Sequence, residues 1–122
     1  MTKITSYKDL NVWKEAMDLT THIYKQTSSF PKEELFGLVS QMRRASVSVP
    51  SNIAEGHARH SIKEYIHHLS YSIGSLAELE TQIQIAFNLN YIDNESLNFL
   101  FVKTKKTGAL LGALIKSLKN KV

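Results

Sequence analysis

Apolar residues recur along this chain at intervals of three and four, the period of an α-helix rather than of a strand. The stretch from Leu35 to Gly56 organises the rest. At about 100° per residue, Leu35, Leu38, Met42, Ala45, Val49 and Ile53 form one stripe wide enough to face a core. Phe36, Val47, Pro50 and Ala54 fall together on roughly the opposite side, with Arg43 among them. A helix in a small monomer hides one face, so a second apolar face calls for a second partner. The pattern therefore predicts a subunit of an assembly.

Three further helices follow from the same periodicity. The first starts after Ser6, with Asp9 completing an imperfect capping box, and carries Trp13, Ala16, Met17, Thr20, Tyr24 and Thr27 on one face as a core stripe. Thr27–Phe30 forms the break, and Pro31, followed by Glu33 and Glu34, suits the first turn of the second helix. Inside that helix Pro50 cannot donate to the carbonyl of Ser46 and its ring crowds the turn, so a bend is expected, with Gly56 as the stop. Ser61 and Glu64 cap the third helix, lined by Ile62, Ile66, Leu69, Ile73, Leu76, Ile83 and Phe87. Asn90 suits a left-handed helix exit and Asp93 caps the fourth helix, whose core stripe is Leu97, Leu100, Leu111, Leu114, Ile115 and Leu118. Gly108, Ala109, Gly112 and Ala113 cluster away from that stripe and read as a contact surface. Short connectors make the fold class all-α: an antiparallel up-down-up-down four-helix bundle with a Pro-kinked second helix, in one domain spanning residues 1–122.

Composition narrows the chemistry. The 122 residues, 43% hydrophobic with 5 Gly and 2 Pro, suit one core with long uninterrupted helices. The absence of cysteine removes disulfides, thiol catalysis and thiolate metal sites. Met1 to Ser6 is short and polar, and no run of about 18 apolar residues occurs, so a cytoplasmic protein without a membrane span is expected. The net charge of +4 is unevenly spread. Residues 65–102 carry −4, residues 103–122 carry six lysines and no acid, and the first 64 residues carry +2. A basic end fits contact with phosphates, and equally a soluble helix terminus that complements its dipole.

Two polar features stand apart. Glu80 interrupts the apolar stripe of the third helix, and a buried carboxylate needs a partner: Arg43 or Arg44, with Ser48 and Asn52 as neutral donors. Glu64, His67 and His68, with His57 and His60 upstream, are residue types that bind divalent ions. The spacing lacks the paired Glu-x-x-His set of a di-iron bundle, so no metal is expected. Nothing resembles a phosphate-cradling glycine loop, a nucleophile elbow or a zincin helix, and neither an enzyme nor a cofactor is expected.

The residues Gly37–Ala45 and Val49–Gly56 carry a family resemblance, supported by Leu10–Met17, Phe30-Pro31, Gly74–Thr81 and Leu89–Ile92. They resemble the bacterial four-helix bundle family named for proteins encoded in intervening sequences of 23S rRNA genes. Asn90 departs from the glycine usual there, as the second-choice residue for that backbone conformation. The resemblance implies an antiparallel bundle assembled as a ring-like homopentamer. It also implies likeness to the accessory protein of diversity-generating retroelements, in which a basic pentameric barrel is held to bind nucleic acid and a reverse transcriptase. Carried onto this sequence, Arg43, Arg44 and Arg59 become candidates for nucleic-acid contact; charge alone adds Lys103, Lys105, Lys106, Lys116 and Lys119. Phe36, Val47, Pro50, Ala54, Gly108 and Gly112 are the expected oligomer interface, and Glu80 and Asn52 the expected buried polar residues. The leading expectation is a non-enzymatic, homo-oligomeric bundle that binds RNA or other nucleic acid. The alternative is a scaffold that binds a polymerase or ribosomal protein partner directly.

Overall fold

Ser6 and Asp9 hydrogen-bond reciprocally at the start of the described chain, and they nucleate a 3-10 turn at Tyr7–Asp9 rather than a long helix. The computed structural model describes residues 6–122. Apart from Ser6, the polar start taken to exclude a leader lies outside the described residues. After an extended Leu10, α1 spans Asn11–Thr27, α2 Leu38–His57, α3 Ile62–Asn88 and α4 Asn94–Lys119, and the described residues contain no strand.

Each helix packs against two others, α2 against α3 most extensively, and α1 meets α4 to close the bundle. Side-chain pairs give the directions. Thr20 and Thr27 of α1 reach Ser46 and Arg43 of α2, and Ser48 and Asn52 of α2 reach Ser75 and His68 of α3. Glu80 of α3 meets Thr104 of α4 and Leu76 of α3 lies against Gly108 of α4, while Asp18 and Glu15 of α1 meet Lys103 and Lys106 of α4. In every pair the partner's number falls as the residue number rises, so neighbouring helices run antiparallel.

The helix ends are set by local chemistry. Ser61 accepts the Glu64 N–H and Asp93 the Ser96 N–H, as N-cap residues do. Asn90 takes a positive φ of 64°, and the amides of Asn90 and Tyr91 close back onto the carbonyls of Phe87 and Ala86. That is the paired closure by which a left-handed residue ends a helix.

The core corrects the phase expected for α1. Val12, Ala16, Leu19, Ile23 and Thr27 are buried, whereas Met17 and Tyr24 are exposed and Trp13 and Thr20 are half-buried. The aliphatic stripe wins the interior, and the amphipathic aromatics take the boundary, where their polar atoms stay wet. In α2, Leu38, Met42, Ala45, Val49 and Ile53 are buried as expected, but Leu35 is half-exposed and lies outside the helix. Pro31 instead leads a 3-10 turn at Lys32–Glu34, and Gly37, at φ −110° and ψ −112°, precedes a fresh start. Glu34 caps that start, its carboxylate accepting the Leu38 N–H at 3.2 Å.

Gly56 is not a stop, since α2 continues to His57 and no described glycine has positive φ. A Cβ on Gly56 would lie 2.9 Å from His68 Cβ and from Tyr65 Cδ1, so hydrogen at this position is what lets α2 approach α3. Ile73, expected in the stripe of α3, is exposed, and Ser72, Leu79 and Gln82 are buried instead. The stripe of α4 holds at Leu97, Leu100, Leu111 and Leu118, with Leu114 and Ile115 half-buried and Thr104 and Thr107 buried among them.

Candidate nucleic-acid interface

The antiparallel register gathers cations at one end of the bundle. The end of α2 and start of α3 bring Arg59 and Lys63, and the end of α4 brings Lys116, Lys119 and Lys121. The acids beside them are Asp9, Glu55 and Glu64. The opposite end carries Glu33, Glu34, Asp93 and Glu95 against Lys25 and Lys32, with Tyr91 donating to Glu34 and Gln26 to Ser96 across it. Charges that alternate in blocks along the sequence thus separate in space.

Not every expected cation is free to meet a ligand. Lys103 is half-buried, ion-paired with Asp18 and set over the Phe99 ring. Its hydrogen bond holds the Asp18 carboxyl below the ordinary carboxylate range, against the opposing effect of burial, with smaller help from the charges of Lys103, His22 and Lys25. Lys106 pairs with Glu15 at 3.2 Å. Arg43 is half-buried over the Tyr24 ring, 4.7 Å from its centroid, and donates to Thr27 Oγ1 and the Tyr24 carbonyl. These three side chains tie helices together. Arg44, Lys105, Lys116 and Lys119 are exposed, and none forms an ion pair among the described residues.

The expected partners of Glu80 are corrected as well. Its carboxylate accepts the Thr104 hydroxyl of α4 at 2.7 Å, not a donor from α2, and it is half-buried. Arg43 and Arg44 sit on α2, which the register pairs with other parts of α3. Asn52 is half-buried too, and donates to the carbonyl and hydroxyl of Ser48 at 2.9 and 3.1 Å.

The second apolar face exists in part. Val47, Pro50 and Ala54 line one side of a shallow depression of about 310 Å3, and Tyr7, Trp13 and Met17 line the other. Of the α1 face that sequence periodicity assigned to the core, Trp13, Met17 and Thr20 therefore belong to this groove, while Tyr24 lies outside it under Arg43. Phe36 does not: it projects from the turn before α2 and is 93% exposed. The small residues of α4 also divide. Gly108 turns inward, where a Cβ would lie 3.4 Å from Leu76 Cδ2, and Gly112 faces open space.

The histidines are parted by separate partners. His67 Nε2 lies 2.9 Å from the Tyr71 hydroxyl, His57 meets Tyr65 edge to face, and His68 is held between Asn52 and Arg59. No cluster of three metal-ligating side chains occurs among the described residues. No described helix is long and apolar enough to cross a membrane. The Asn52–His68 pair and Lys63 escaped sequence reasoning, because no local pattern says which residue of α3 faces Asn52.

The sequence matches a family model described as 23S rRNA-intervening sequence protein over residues 8–113. A protein of unknown function from the S23 ribosomal protein family of Bacteroides thetaiotaomicron VPI-5482 has a similar crystal structure. The TM-score is 0.77 at 21% identity, covering 86% of this chain and 98% of that one, a likeness of fold. No protein of curated function matches.

Proposed function

Since the chain belongs to the 23S rRNA-intervening sequence protein family, we propose that it is a non-enzymatic, homo-oligomeric bundle that binds RNA or other nucleic acid through its basic end. The carrying observation is the segregation of charge. Arg59, Lys63, Lys116, Lys119 and Lys121 stand at one end, whereas Lys103 and Lys106, nearer the middle of α4, are already paired with Asp18 and Glu15. Binding of this kind rests on neutralising phosphates, with little reading of bases. Self-association is supported by the unfilled Tyr7, Trp13, Met17, Val47, Pro50 and Ala54 groove, and the family resemblance suggests five copies. The test is affinity for structured RNA as a function of salt. A steep fall with rising salt supports the reading, and undetectable or salt-insensitive binding removes it. Sedimentation at micromolar concentration tests assembly, and a monomer there removes the ring.

A second reading has one observation of its own. The turn carrying Phe36 is braced, because Glu34 accepts the Leu38 N–H with one carboxylate oxygen and the Tyr91 hydroxyl with the other. A rigidly presented, fully exposed phenylalanine is an anchor of the kind that protein interfaces use. A scaffold that binds a protein partner directly would lose that partner on Phe36→Ser and keep it after nuclease treatment.

A further inference from the structure

Where α2 hands over to α3, an open depression of about 890 Å3 has Arg59, Ser61, Lys63, Glu64, His67 and His68 in its lining. Its geometry is built from beneath. Ser75 donates to the Ser48 hydroxyl at 2.8 Å, and Asn52 Nδ2 donates to both oxygens of Ser48. That fixes the amide the right way round and leaves Asn52 Oδ1 facing His68 Nδ1 at 3.1 Å. An amide oxygen only accepts, so Nδ1 carries a proton, and Nε2, which accepts from Arg59, offers a lone pair. Arg59 Nε–H donates to that lone pair at 3.2 Å. The Glu55 carboxylate, 3.7 Å from Nδ1, backs the same tautomer. A neutral imidazole, rooted in the seam between α2 and α3, thus holds a guanidinium by one of its five N–H groups. No hydrogen bond among the described residues uses the other four.

We propose that this depression binds a phosphate group, gripped by the free Nη fork of Arg59 with Lys63 and His67 on the same wall. His68 and Asn52 are positioning residues that aim the fork. A planar guanidinium fork matches two phosphate oxygens, and holding it in place beforehand removes part of the entropy cost of binding. A cation fits poorly, because His68 has both nitrogens engaged, His67 Nε2 is on Tyr71, and Arg59 and Lys63 repel it. The phosphate belongs either to a nucleic-acid strand, which rests on the reading above, or to a free phosphate monoester, which does not.

The test titrates inorganic phosphate, then a short single-stranded RNA, into the full chain while following the imidazole signals of His67 and His68 and the Arg59 Nε–H by NMR. Phosphate is expected to shift all three. Arg59→Lys, which keeps charge and loses the fork, should weaken phosphate about tenfold. His68→Ala should weaken it in the native background and add nothing to Arg59→Ala, whereas a merely structural role would add in both. Glu64→Gln should tighten binding by removing a repelling carboxylate, and its folding is secured by the Ser61 cap, which uses only the Glu64 backbone. Phosphate that leaves these signals unmoved, or Glu64→Gln that weakens binding, overturns the site. RNA that shifts the same signals and loses affinity in Arg59→Lys assigns the phosphate to a strand. RNA affinity unchanged by Arg59→Lys, with phosphate still bound, assigns the site to a free monoester and leaves nucleic-acid binding to the α4 lysines. A chain that binds phosphate here and no RNA keeps the site and removes the proposed function.

Discussion

The Thr20 hydroxyl of α1 donates to the Ser46 carbonyl of α2 at 2.8 Å, and that carbonyl is the one Pro50, four residues on, cannot serve. The same hydroxyl also lies 3.0 Å from the Ala16 carbonyl, so its proton is shared within α1 and across to α2. Ser46 and Pro50 are both buried, beyond the reach of bulk water. A neighbouring helix therefore supplies the donor that proline removes. Thr20→Val should destabilise the fold by about 1–2 kcal/mol in urea unfolding, the cost of an orphaned buried acceptor. In a Pro50→Ala background the alanine N–H serves Ser46, and the same change should cost clearly less.

Gly56 and Gly112 should respond oppositely to alanine. At Gly56 the new methyl meets Tyr65 and His68 at 2.9 Å, forcing α2 and α3 apart, and thermal unfolding should show a loss of about 1–3 kcal/mol. At Gly112 nothing lies within 4 Å, so alanine should stabilise an isolated bundle by about 0.5–1 kcal/mol through helix propensity. If that face of α4 meets another copy, the same variant should shift sedimentation toward smaller species.

Stability should fall on the acid side through Asp18. Lys103 lowers its carboxyl in the folded state relative to the unfolded chain, so the contribution is complete above the unfolded value and is lost as pH falls through the folded one. Asp93, lowered by the Ser96 backbone and side chain, acts in the same direction. Asp18→Asn should flatten the acid limb of a stability-against-pH curve. Tyr91 works at the other extreme: its hydrogen bond to Glu34 raises it, so its contribution is whole below the unfolded value and lost as pH rises through the folded one. Tyr91→Phe should flatten the alkaline limb.

The α4 lysines should sort by their partners. Lys103→Gln and Lys106→Gln break contacts to Asp18 and Glu15, so they should lower stability and leave RNA affinity nearly unchanged. Lys116→Gln and Lys119→Gln, exposed and without an ion pair among the described residues, should leave the unfolding midpoint in place. Each should lower the slope of log affinity against log salt by about 1.

Four helices, their order and most of their ends are determined by the sequence itself, because caps and periodicity act within a few residues of chain. Ser61, Asp93 and Asn90 do what their side chains do at any helix terminus. The tertiary structure decided which face of α1 is inside, since Val12, Leu19 and Ile23 compete with Trp13, Met17 and Tyr24 at the same spacing and only burial against α2 and α4 chooses. It also decided that Glu80 meets Thr104, that Asp18 holds Lys103, and that Asn52, His68 and Arg59 form one chain of hydrogen bonds. Those pairings depend on the register between helices. Register comes from the whole packed interface, Gly56 against Tyr65 and His68 included, and no stretch of sequence carries it alone.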